Sequence, residues 1–310
     1  MQDDSRGKLH PLNEIQYGIY LECKNDPENL MYSIVHLAKI GQGVSVEKVR
    51  KSLEAALNFY PALNTALYED NGRVYMKELD EPFVIPVIRL SNSKFEMIRK
   101  DLAKPFSLSG ERLIRVRIYE TPSGSYVFLE KHHVILDGST DGIISRAAGK
   151  IYAGEEPAAE EVAYFDVAER EKAFLASDDR KNAEEYWKGL LSDAEGEAFP
   201  EGDKEDDIPS QGLLHAAFSL DEAEFKGFLK STGCRKSSFF TGVGAYLMSL
   251  YSGNKKTVTE SIWHGRDDSL KNTAGMMVRS IPFVCDREAA VSVPEYLKQM
   301  EAQLVAGMQR

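Results

Sequence analysis

The segment Lys131-His132-His133-Val134-Ile135-Leu136-Asp137-Gly138 decides how this chain is interpreted. Before it, residues 125–130 form an apolar, alternating segment that predicts a strand. After it, residues 143–152 have a helical pattern, and Ser139 or Thr140 is placed to cap that helix. Two adjacent histidines therefore stand where a buried strand ends and a turn leads into a helix. Such a position holds side chains firmly beside a cleft.

The spacing within this segment separates the roles of its polar residues. Alternation along an extended strand points His132 and His133 to opposite sides, so one imidazole can face an open channel while the other packs within the fold. Asp137 follows the strand end, where its carboxylate can tie the turn together or orient an imidazole. Gly138 allows a sharp backbone turn and lets a substrate approach a main-chain N–H.

Composition limits the class of protein. The chain has 310 residues, of which 43% are hydrophobic and 28% charged, enough for a sizeable core. The formal net charge of −11 argues against a general binder of nucleic acid or anionic membranes. The polar N-terminus predicts no signal peptide, and no apolar run approaches a membrane span, so we predict a cytoplasmic protein. Cys23, Cys234 and Cys285 lack disulfide or metal spacing and are expected to be buried thiols.

Hydrophobic periodicity elsewhere predicts a mixture of helices and strands. Asn13 and Ser45 are suitable caps for two helices of the first half, and Asp70-Asn71-Gly72 predicts a hairpin turn. Residues 192–212 are rich in Asp, Glu, Gly, Ser and Pro, which predicts an exposed linker. The very apolar helix 237–253 is expected to be buried. The other elements predicted in the second half are strands at 213–220, 257–264 and 276–284, and helices at 221–232 and 293–308.

The histidine segment resembles the HHxxxDG signature of the condensation domains of nonribosomal peptide synthetases. The same signature occurs in related acyltransferases that use CoA or carrier proteins. His132, His133, Asp137 and Gly138 match it position by position.

Segments in the first half also resemble this family, in the same order. Leu12-Asn13-Glu14-Ile15-Gln16 is similar to its opening motif, in which a Gln follows a helix cap. Residues 58–65 are similar to its second motif, although Phe59 and Asn64 stand where the family usually has arginines. The other matching segments of this half are 104–108, 113–115 and 163–168.

The second half continues the resemblance. Gly265-Arg266 is similar to a Gly-Arg pair of the family, and residues 275–282 are similar to its Gly-x-Phe-Val-Asn-Thr-x-Pro segment, with Arg279 in place of Asn. The resemblance therefore runs from about Leu12 to the end of the chain. Several weak motifs in the right order form a stronger signal together than any one of them alone.

The resemblance implies an α/β (α+β) fold of the chloramphenicol-acetyltransferase-like type, with two lobes arranged as a V. Residues 1–175 would form the N-terminal lobe with the HHxxxDG motif. Residues 176–310 would form a linker helix, an acidic linker and an incomplete C-terminal lobe. The second lobe is expected to be truncated, because the family continues beyond the helix at 293–308. Either the natural reading frame continues past Arg310, or the lobe is incomplete.

The resemblance also implies roles for the motif residues. His133 would be the catalytic residue, and His132 would support the strand end. Asp137 would form an orienting salt bridge, with Arg266 as the first candidate partner and Arg115 and Arg279 behind it. The main-chain N–H of Gly138 is a candidate oxyanion contact.

Other polar residues of the chain are expected to have ordinary structural roles. No metal site is predicted, because His132 and His133 diverge and no third ligand cluster is evident. His36, His215 and His264 lie in no motif and are expected to be fold or surface residues. Asp141, in a second Asp-Gly pair, is expected to serve the start of the helix.

The implied reaction is amide bond formation between an acyl or peptidyl thioester donor and the amine of an aminoacyl acceptor. Both groups would be carried on the 4′-phosphopantetheine of peptidyl carrier proteins, beside an adenylation domain of a longer synthetase, with no permanently bound cofactor and no nucleic-acid or membrane partner. Heterocyclising relatives have Asp at the position of His132, and epimerising relatives usually have Ser-Trp where Ser139-Thr140 stands. Ordinary condensation therefore remains, including the starter kind that takes a fatty acyl donor.

Two alternatives remain open at the level of sequence. The first is a free-standing HHxxxDG acyltransferase that uses CoA or carrier thioesters. The second is a non-catalytic module that docks carrier proteins, suggested by the short second lobe and the altered second motif.

Overall fold

The residues described by the computed structural model are 8–197, 215–289 and 292–310. They group into two compact units. The first comprises the described residues within Met1–Ala173 and His264–Val278, and the second comprises the described residues within Phe174–Trp263 and Arg279–Arg310. The first break lies close to the expected boundary at residue 175. The segment 264–278, which sequence reasoning assigned to the second lobe, instead clusters with the first unit.

The first unit contains both short strands and helices. Its elements, in chain order, are β1 (Leu9–Pro11), α1 (Glu14–Asn25), β2 (Ser33–Lys39), α2 (Val46–Phe59), β3 (Thr65–Asp70), β4 (Arg73–Glu78), β5 (Val87–Arg89), α3 (Asn92–Ile98), β6 (Ile114–Thr121), β7 (Gly124–His132), α4 (Gly138–Ala153) and most of α5 (Tyr164–Leu175).

Two sheets organise this unit. The larger has the strand order β2-β7-β6-β5, and the smaller has the order β1-β4-β3. All pairs are antiparallel except β5 with β6. Strand β7 is therefore paired on both edges, and its last residue, His132, lies opposite Ser33 of β2. The histidine segment thus begins on one of the two central strands of the larger sheet.

Local signals in the sequence account for several element boundaries. Asn13 caps α1 and forms a reciprocal capping box with Gln16, and Ser45 caps α2, both as predicted. The predicted hairpin joins β3 to β4. Asn71 and Gly72 have φ values of 50° and 77°, which is the left-handed pair that a tight hairpin turn requires.

The start of α4 differs from the prediction. The helix begins at Gly138, and its cap is Asp137 rather than Ser139 or Thr140. The Asp137 carboxylate accepts a hydrogen bond of 3.0 Å from the main-chain N–H of Thr140. The apolar pattern gave a later start because the first turn of α4 consists of small and polar residues, which carry no hydrophobic periodicity.

Strand β7 carries two adjacent charged residues that are both buried. Glu130 is fully buried and forms an ion pair with Arg115 at 3.1 Å, and it also accepts a hydrogen bond from the main-chain N–H of Lys104. Lys131 is 1% exposed and forms an ion pair with Asp141. Because side chains alternate along a strand, these two charges lie on opposite faces of the sheet.

The second unit is smaller. Its elements are α6 (Asp178–Leu191), β8 (Glu195–Glu197), α7 (Glu222–Thr232), α8 (Lys236–Ser252), β9 (Lys256–Trp263), β10 (Arg279–Asp286) and α9 (Val293–Met308). The strands form a sheet in the order β10-β9-β8. The buried hydrophobic cluster of this unit, among the residues described, consists of Ala245, Phe283, Cys285, Met300 and Leu304.

Helix α8 contradicts the expectation that it is buried. Most of its large apolar side chains are exposed, with Leu247 and Leu250 each 48% exposed and Tyr251 73% exposed, whereas Phe239 and Met248 are half-buried. The buried residues of α8 are small ones, including Gly242 and Ala245. A face of small side chains lets a neighbouring helix approach closely, which explains why this face, and not the larger apolar one, is packed. In α9, Tyr296 donates a hydrogen bond of 2.8 Å to the carbonyl of Gly242.

Two further expectations concern residues near the linker. Residues 215–220 form no strand, contrary to the prediction for 213–220. The first two residues of that prediction, and residues 198–212 of the predicted linker, lie outside the described residues. Within the part of the chain that the structure describes, no helix combines the length and the apolar character needed to cross a membrane.

Candidate functional site

His132 is a buried, neutral imidazole. It is 3% exposed, and its Nδ1 accepts a hydrogen bond of 3.2 Å from the main-chain N–H of Val134. The proton of the neutral ring is therefore on Nε2, which lies 3.7 Å from Sγ of Cys23. Burial, with a smaller contribution from the neighbouring His133, lowers the pKa of His132 to about 4. This histidine supports the end of β7.

His133 has the opposite environment. Its main-chain N–H donates a 2.8 Å hydrogen bond to the carbonyl of Tyr32, which continues the β2–β7 ladder one residue beyond β7. Its side chain therefore lies on the other face of the sheet and is only half-buried. Nδ1 is buried and has no hydrogen-bond partner among the described residues. Nε2 is thus the nitrogen through which this imidazole can meet a substrate.

Asp137 and Arg266 form a buried ion pair, which is the pairing that the sequence analysis placed first. Arg266 Nη1 lies 2.7 Å from Asp137 Oδ2, and the two side chains are 5% and 3% exposed. The same carboxylate oxygen accepts a 3.0 Å hydrogen bond from the main-chain N–H of Met277. Asp137 therefore joins the start of α4 to the segment 264–278.

The guanidinium of Arg266 is almost fully hydrogen-bonded. It donates to the carbonyls of His264, Thr273 and Gly275 and to Oγ1 of Thr140, at distances of 3.0–3.3 Å. A guanidinium so surrounded cannot leave the site without leaving several buried carbonyls unpaired. It is an anchor of the motif rather than a group that is free to act on a substrate.

The segment 264–278 approaches the rest of the first unit too closely for side chains at two positions. A Cβ at Gly275 would lie 2.0 Å from Cδ2 of the buried Tyr164. Gly265 has a φ of 68°, and a Cβ there would lie 1.8 Å from the carbonyl oxygen of Met277. Glycine is needed at both places for Arg266 to reach Asp137.

Gly138 is exposed at the first position of α4. It does not have a positive φ, so the turn does not require glycine there, contrary to the expectation. A Cβ at Gly138 would have nothing within 4 Å. It faces a groove of about 520 Å³. The groove is lined by Gly138, Ser139, Gly142, Arg146, His264, Arg266, Asp267, Asp268 and Lys271.

Two residues that tie α1 to the motif have no counterpart among the roles predicted from the sequence. Gln16 Nε2 donates a 2.7 Å hydrogen bond to the carbonyl of Val134. Asn13 Nδ2 donates a 2.9 Å hydrogen bond to the carbonyl of Met276. Both residues lie in the segment that was recognised as an opening motif, but a single sequence carries no signal for partners so distant. They hold the backbone on both sides of the Asp137–Arg266 pair.

The other candidates have different partners. Arg115 pairs with Glu111 and Glu130 rather than with Asp137. Arg279 lies in β10, in the second unit. Asp141 does not merely serve the helix start, because it forms an ion pair with Lys131 and its other carboxylate oxygen lies 3.3 Å from Nε2 of His36.

Two of the remaining histidines differ in their surroundings. His264 lines the groove beside Gly138, and its Nδ1 accepts a hydrogen bond from the main-chain N–H of Arg266. His215 is exposed. Among the residues described, no group of three or more His, Cys, Asp or Glu side chains is arranged to hold a metal ion.

Comparison with known proteins shows which family the chain belongs to. A family model described as Condensation domain matches residues 7–310. Bacitracin synthase 3 of Bacillus licheniformis is 24% identical over 304 residues, which cover 95% of this chain and 5% of that protein. Surfactin synthase subunit 2 of Bacillus subtilis (strain 168) is 23% identical over 303 residues, which cover 94% of this chain and 8% of that protein. The chain thus spans a small part of each of these relatives.

Solved structures share the fold. The starter condensation domain of rhizomide synthetase in complex with C8-CoA gives a TM-score of 0.80 at 16% identity, over 97% of this chain and 72% of that chain. The X-domain from teicoplanin biosynthesis gives a TM-score of 0.78 at 17% identity, over 99% of this chain and 72% of that chain. The mixed α/β fold of the chloramphenicol-acetyltransferase-like type is as predicted. With a family model that matches nearly its whole length, the chain belongs to the condensation domain family.

Proposed function

We propose that this chain forms an amide bond between a carrier-bound acyl or peptidyl thioester and the amine of a carrier-bound aminoacyl group. The observation that carries the proposal is His133, a half-buried imidazole at the end of β7 whose neighbour Asp137 is held by a buried ion pair. The position of His133 is fixed by the ladder to β2 and by the anchored start of α4. A rigidly held, accessible imidazole is suited to receive a proton from a substrate.

The reaction begins when the acceptor nitrogen attacks the thioester carbon and forms the C–N bond. His133 Nε2 takes a proton from that nitrogen as the tetrahedral centre develops. The centre then collapses, the C–S bond breaks, and the phosphopantetheine thiolate leaves and is protonated by the imidazolium. Atoms and charges balance without another reactant.

The expected sizes of two catalytic effects, placement of the substrates and proton transfer to His133, indicate which of them is larger. An α-amine has a pKa near ~8, so its neutral form costs only about 1.4 kcal/mol at pH 7. Correct placement of amine and thioester can contribute roughly 7–11 kcal/mol. A positioned base contributes on the order of 10²–10⁴ in rate. We therefore assign the larger share of catalysis to positioning and the smaller share to His133.

The exposed first turn of α4 supplies the oxyanion contact in this proposal. Main-chain N–H groups at a helix start have no partner within the helix and carry a partial positive charge. Gly138 has no side chain that would keep a substrate carbonyl from its N–H, and a Cβ there would meet open space. This is a reason for glycine at position 138 that the fold itself does not supply.

The proposed partners are donor and acceptor peptidyl carrier proteins whose 4′-phosphopantetheine arms carry the substrates, next to an adenylation domain in a longer synthetase. The support is that the relatives named above are peptide synthetases. We propose a cytoplasmic location, because the described cysteines Cys23, Cys234 and Cys285 are free thiols.

The test is single-turnover amide formation between preloaded carriers, followed by mass spectrometry of the carrier-bound product. His133→Ala should lower the rate by about 10²–10⁴ while leaving the melting temperature near that of the parent. His215→Ala, which removes an exposed histidine, serves as the matched control and should keep the full rate. A His133→Ala protein with nearly full activity would refute the base role.

The same assay distinguishes the proposed function from two alternative functions. A free-standing acyltransferase would accept CoA thioesters as well as carrier thioesters, and the C8-CoA complex of a structural relative is a reason to include that arm. A non-catalytic docking module would bind carriers and give no product with either donor.

A further inference from the structure

A cavity of about 240 Å³ lies on one face of the larger sheet, within the first unit. The sheet forms one wall through β2 and β7, and α2 and α4 form the other. Most of the lining is apolar, and the charged side chains are grouped together. The polar group at the wall consists of Lys131 and Asp141, with His36 beside them.

The cavity lies on the same face of the sheet as His133. Val127, Leu129 and Lys131 alternate along β7 and all line it. The hydrogen bond from His133 to Tyr32 continues the ladder, so the side chain of His133 follows Lys131 on that face. Two residues of strand span about 7 Å. An acyl chain that starts at His133 and runs back along β7 would therefore enter this cavity after a few carbons.

The ammonium of Lys131, at the wall of the cavity, has more N–H donors than it has acceptors among the described residues. Its side chain is 1% exposed, and an ammonium carries three N–H donors. Among the residues that the structure describes, Asp141 is the acceptor that this ammonium contacts. The other oxygen of Asp141 lies 3.3 Å from Nε2 of His36. A buried charge is costly unless it is fully hydrogen-bonded, so the remaining donors favour an oxygen acceptor.

Burial also affects the ionisation of this group. Desolvation lowers the pKa of Lys131 below its ordinary value, and the ion pair with Asp141 opposes that shift only in part. The ammonium is thus less well solvated by the protein than it would be in water. A ligand oxygen in contact with it would supply part of the missing solvation.

We propose that this cavity binds the acyl group of the donor thioester, and that Lys131 selects donors carrying a hydroxyl or carbonyl oxygen a few carbons from the thioester. This inference rests on the proposed function for the identity of the ligand as an acyl group. It adds a specificity-determining residue, Lys131, that no motif of the sequence indicated.

The test compares matched ligands by titration calorimetry with the full chain. The probes are pantetheine conjugates in which a stable amide replaces the thioester. They carry 3-hydroxybutanoyl or its isostere 3-methylbutanoyl, and 4-oxopentanoyl or its isostere 4-methylpentanoyl. The parent should bind at least one oxygenated probe about 10-fold or more tighter than its methyl isostere, as expected for hydrogen bonding to a charged donor. Equal affinities within both pairs would overturn the proposal.

Lys131→Met keeps the length of the side chain and removes its hydrogen-bond donors. The Asp141 carboxylate that loses its partner in this variant is still next to His36 and is 25% exposed, so it remains in contact with water. The preference for oxygen should disappear in this variant. Lys181→Met, at an exposed ion pair with Asp178, is the control and should keep it. A preference that survives Lys131→Met would overturn the proposal.

A second variant covers the case in which Lys131→Met does not fold. Asp141→Asn removes the competing carboxylate, so the preference for the oxygenated probe should increase; an unchanged preference would count against the proposal. Binding requires no turnover, so these results stand apart from the amide assay. Absence of product from every donor would refute the proposed function, whereas product without oxygen selectivity would refute only the role of Lys131.

Discussion

At the scale of single residues, two adjacent histidines show how strongly the face of a strand controls imidazole chemistry. His132 packs against Cys23 and against the edge of Phe106, and its pKa falls to about 4. His133 is half-buried on the opposite face. The difference follows from the two-residue period of a strand and needs no difference in residue type. It is the reason for assigning proton transfer to His133 and support to His132.

The lowered pKa of His132 predicts how stability changes with pH. The unfolded chain binds a proton at His132 near pH ~6.5, whereas the folded chain resists it until about pH 4. This contribution to stability is therefore present above pH ~6.5 and is lost as the pH falls toward 4. Between pH 7 and pH 5 we expect the free energy of unfolding to decrease by about 2 kcal/mol through this residue. Urea denaturation at the two pH values measures it.

The control for this prediction is His132→Asn, which can still accept the hydrogen bond from Val134 but does not titrate. Its free energy of unfolding should be lower at pH 7 and should fall less between pH 7 and pH 5 than that of the parent. If the two proteins lost equal amounts, the pH dependence would have to come from other groups.

The buried pair of Asp137 and Arg266 predicts a large loss on truncation. Asp137→Ala would leave a buried guanidinium without its counter-ion and α4 without its cap. We expect the free energy of unfolding to fall by roughly 3–5 kcal/mol, with a matching fall in melting temperature. Thermal and urea denaturation check this.

Asp221→Ala is the matched control for the Asp137 variant. Asp221 caps α7 by accepting a 2.8 Å hydrogen bond from the main-chain N–H of Glu224, but it is exposed and forms no buried ion pair. Its loss should cost only about 1 kcal/mol. Similar losses at the two positions would mean that the guanidinium finds other partners and that the pair is not an anchor.

At the scale of elements, local signals were sufficient where the structure is held locally. Asn13 and Ser45 cap their helices, and Asp70-Asn71-Gly72 forms the hairpin, because each depends on residues only a few positions apart. The start of α4 was placed too late because its first turn consists of small and polar residues, which give no hydrophobic periodicity, and the second role of Asp137 was visible only as a candidate pairing. Its carboxylate caps the helix and also binds Arg266, 129 residues away, and no local pattern reports a contact of that range.

Helix α8 was misjudged for a different reason. Its composition indicates how much apolar surface it has, but not which face is covered. The packed face is the small one, where Ala245 is 2% exposed. Composition alone therefore predicted burial of side chains that the structure exposes.

This arrangement predicts an uneven tolerance to charge along α8. Leu247→Lys and Leu250→Lys should each change the free energy of unfolding by no more than about 0.5 kcal/mol, since both side chains are already half in water. Ala245→Lys should cost roughly 3 kcal/mol or more, because it places an unpaired charge in the packed face. Urea denaturation of the three variants measures these changes in the free energy of unfolding. A large loss at Leu247 or Leu250 would show that this face is covered.

At the scale of the whole molecule, the two units have unequal cores. In the first unit a large buried cluster connects α1, α2, both sheets and the segment 264–278. The described cluster of the second unit has five members, including Phe283 and Leu304. Because hydrophobic burial is the main favourable term in folding, the second unit should be the less stable of the two.

Amide hydrogen exchange followed by mass spectrometry checks whether the second unit is less stable than the first. Peptides from β6, β7 and α4 should exchange slowly, and peptides from α8 and α9 should exchange faster under native conditions. Uniform protection across both sets would indicate that the chain unfolds as one cooperative unit.

The organisation of the site could be predicted only in part from the sequence. The motif led to His133, Asp137 and Arg266 because each matches a family position, and the structure pairs Asp137 with Arg266. Lys131 and Asp141 were not recognised, because their contact depends on how α4 lies across β7. Such contacts are determined by how the helix packs on the strand, and they leave no periodic pattern in the sequence.

The adjacent buried charges of β7 bear on how the sheet assembles. If β7 slipped by one residue against its neighbours, Glu130 would turn toward Asp141, and Lys131 would turn toward Arg115. Such a slip would bring like charges together at partly buried positions, in addition to exchanging the two faces of the strand. The two charges therefore disfavour a slip of one residue, and they favour pairings that keep Glu130 on the face of Arg115 and Lys131 on the face of Asp141.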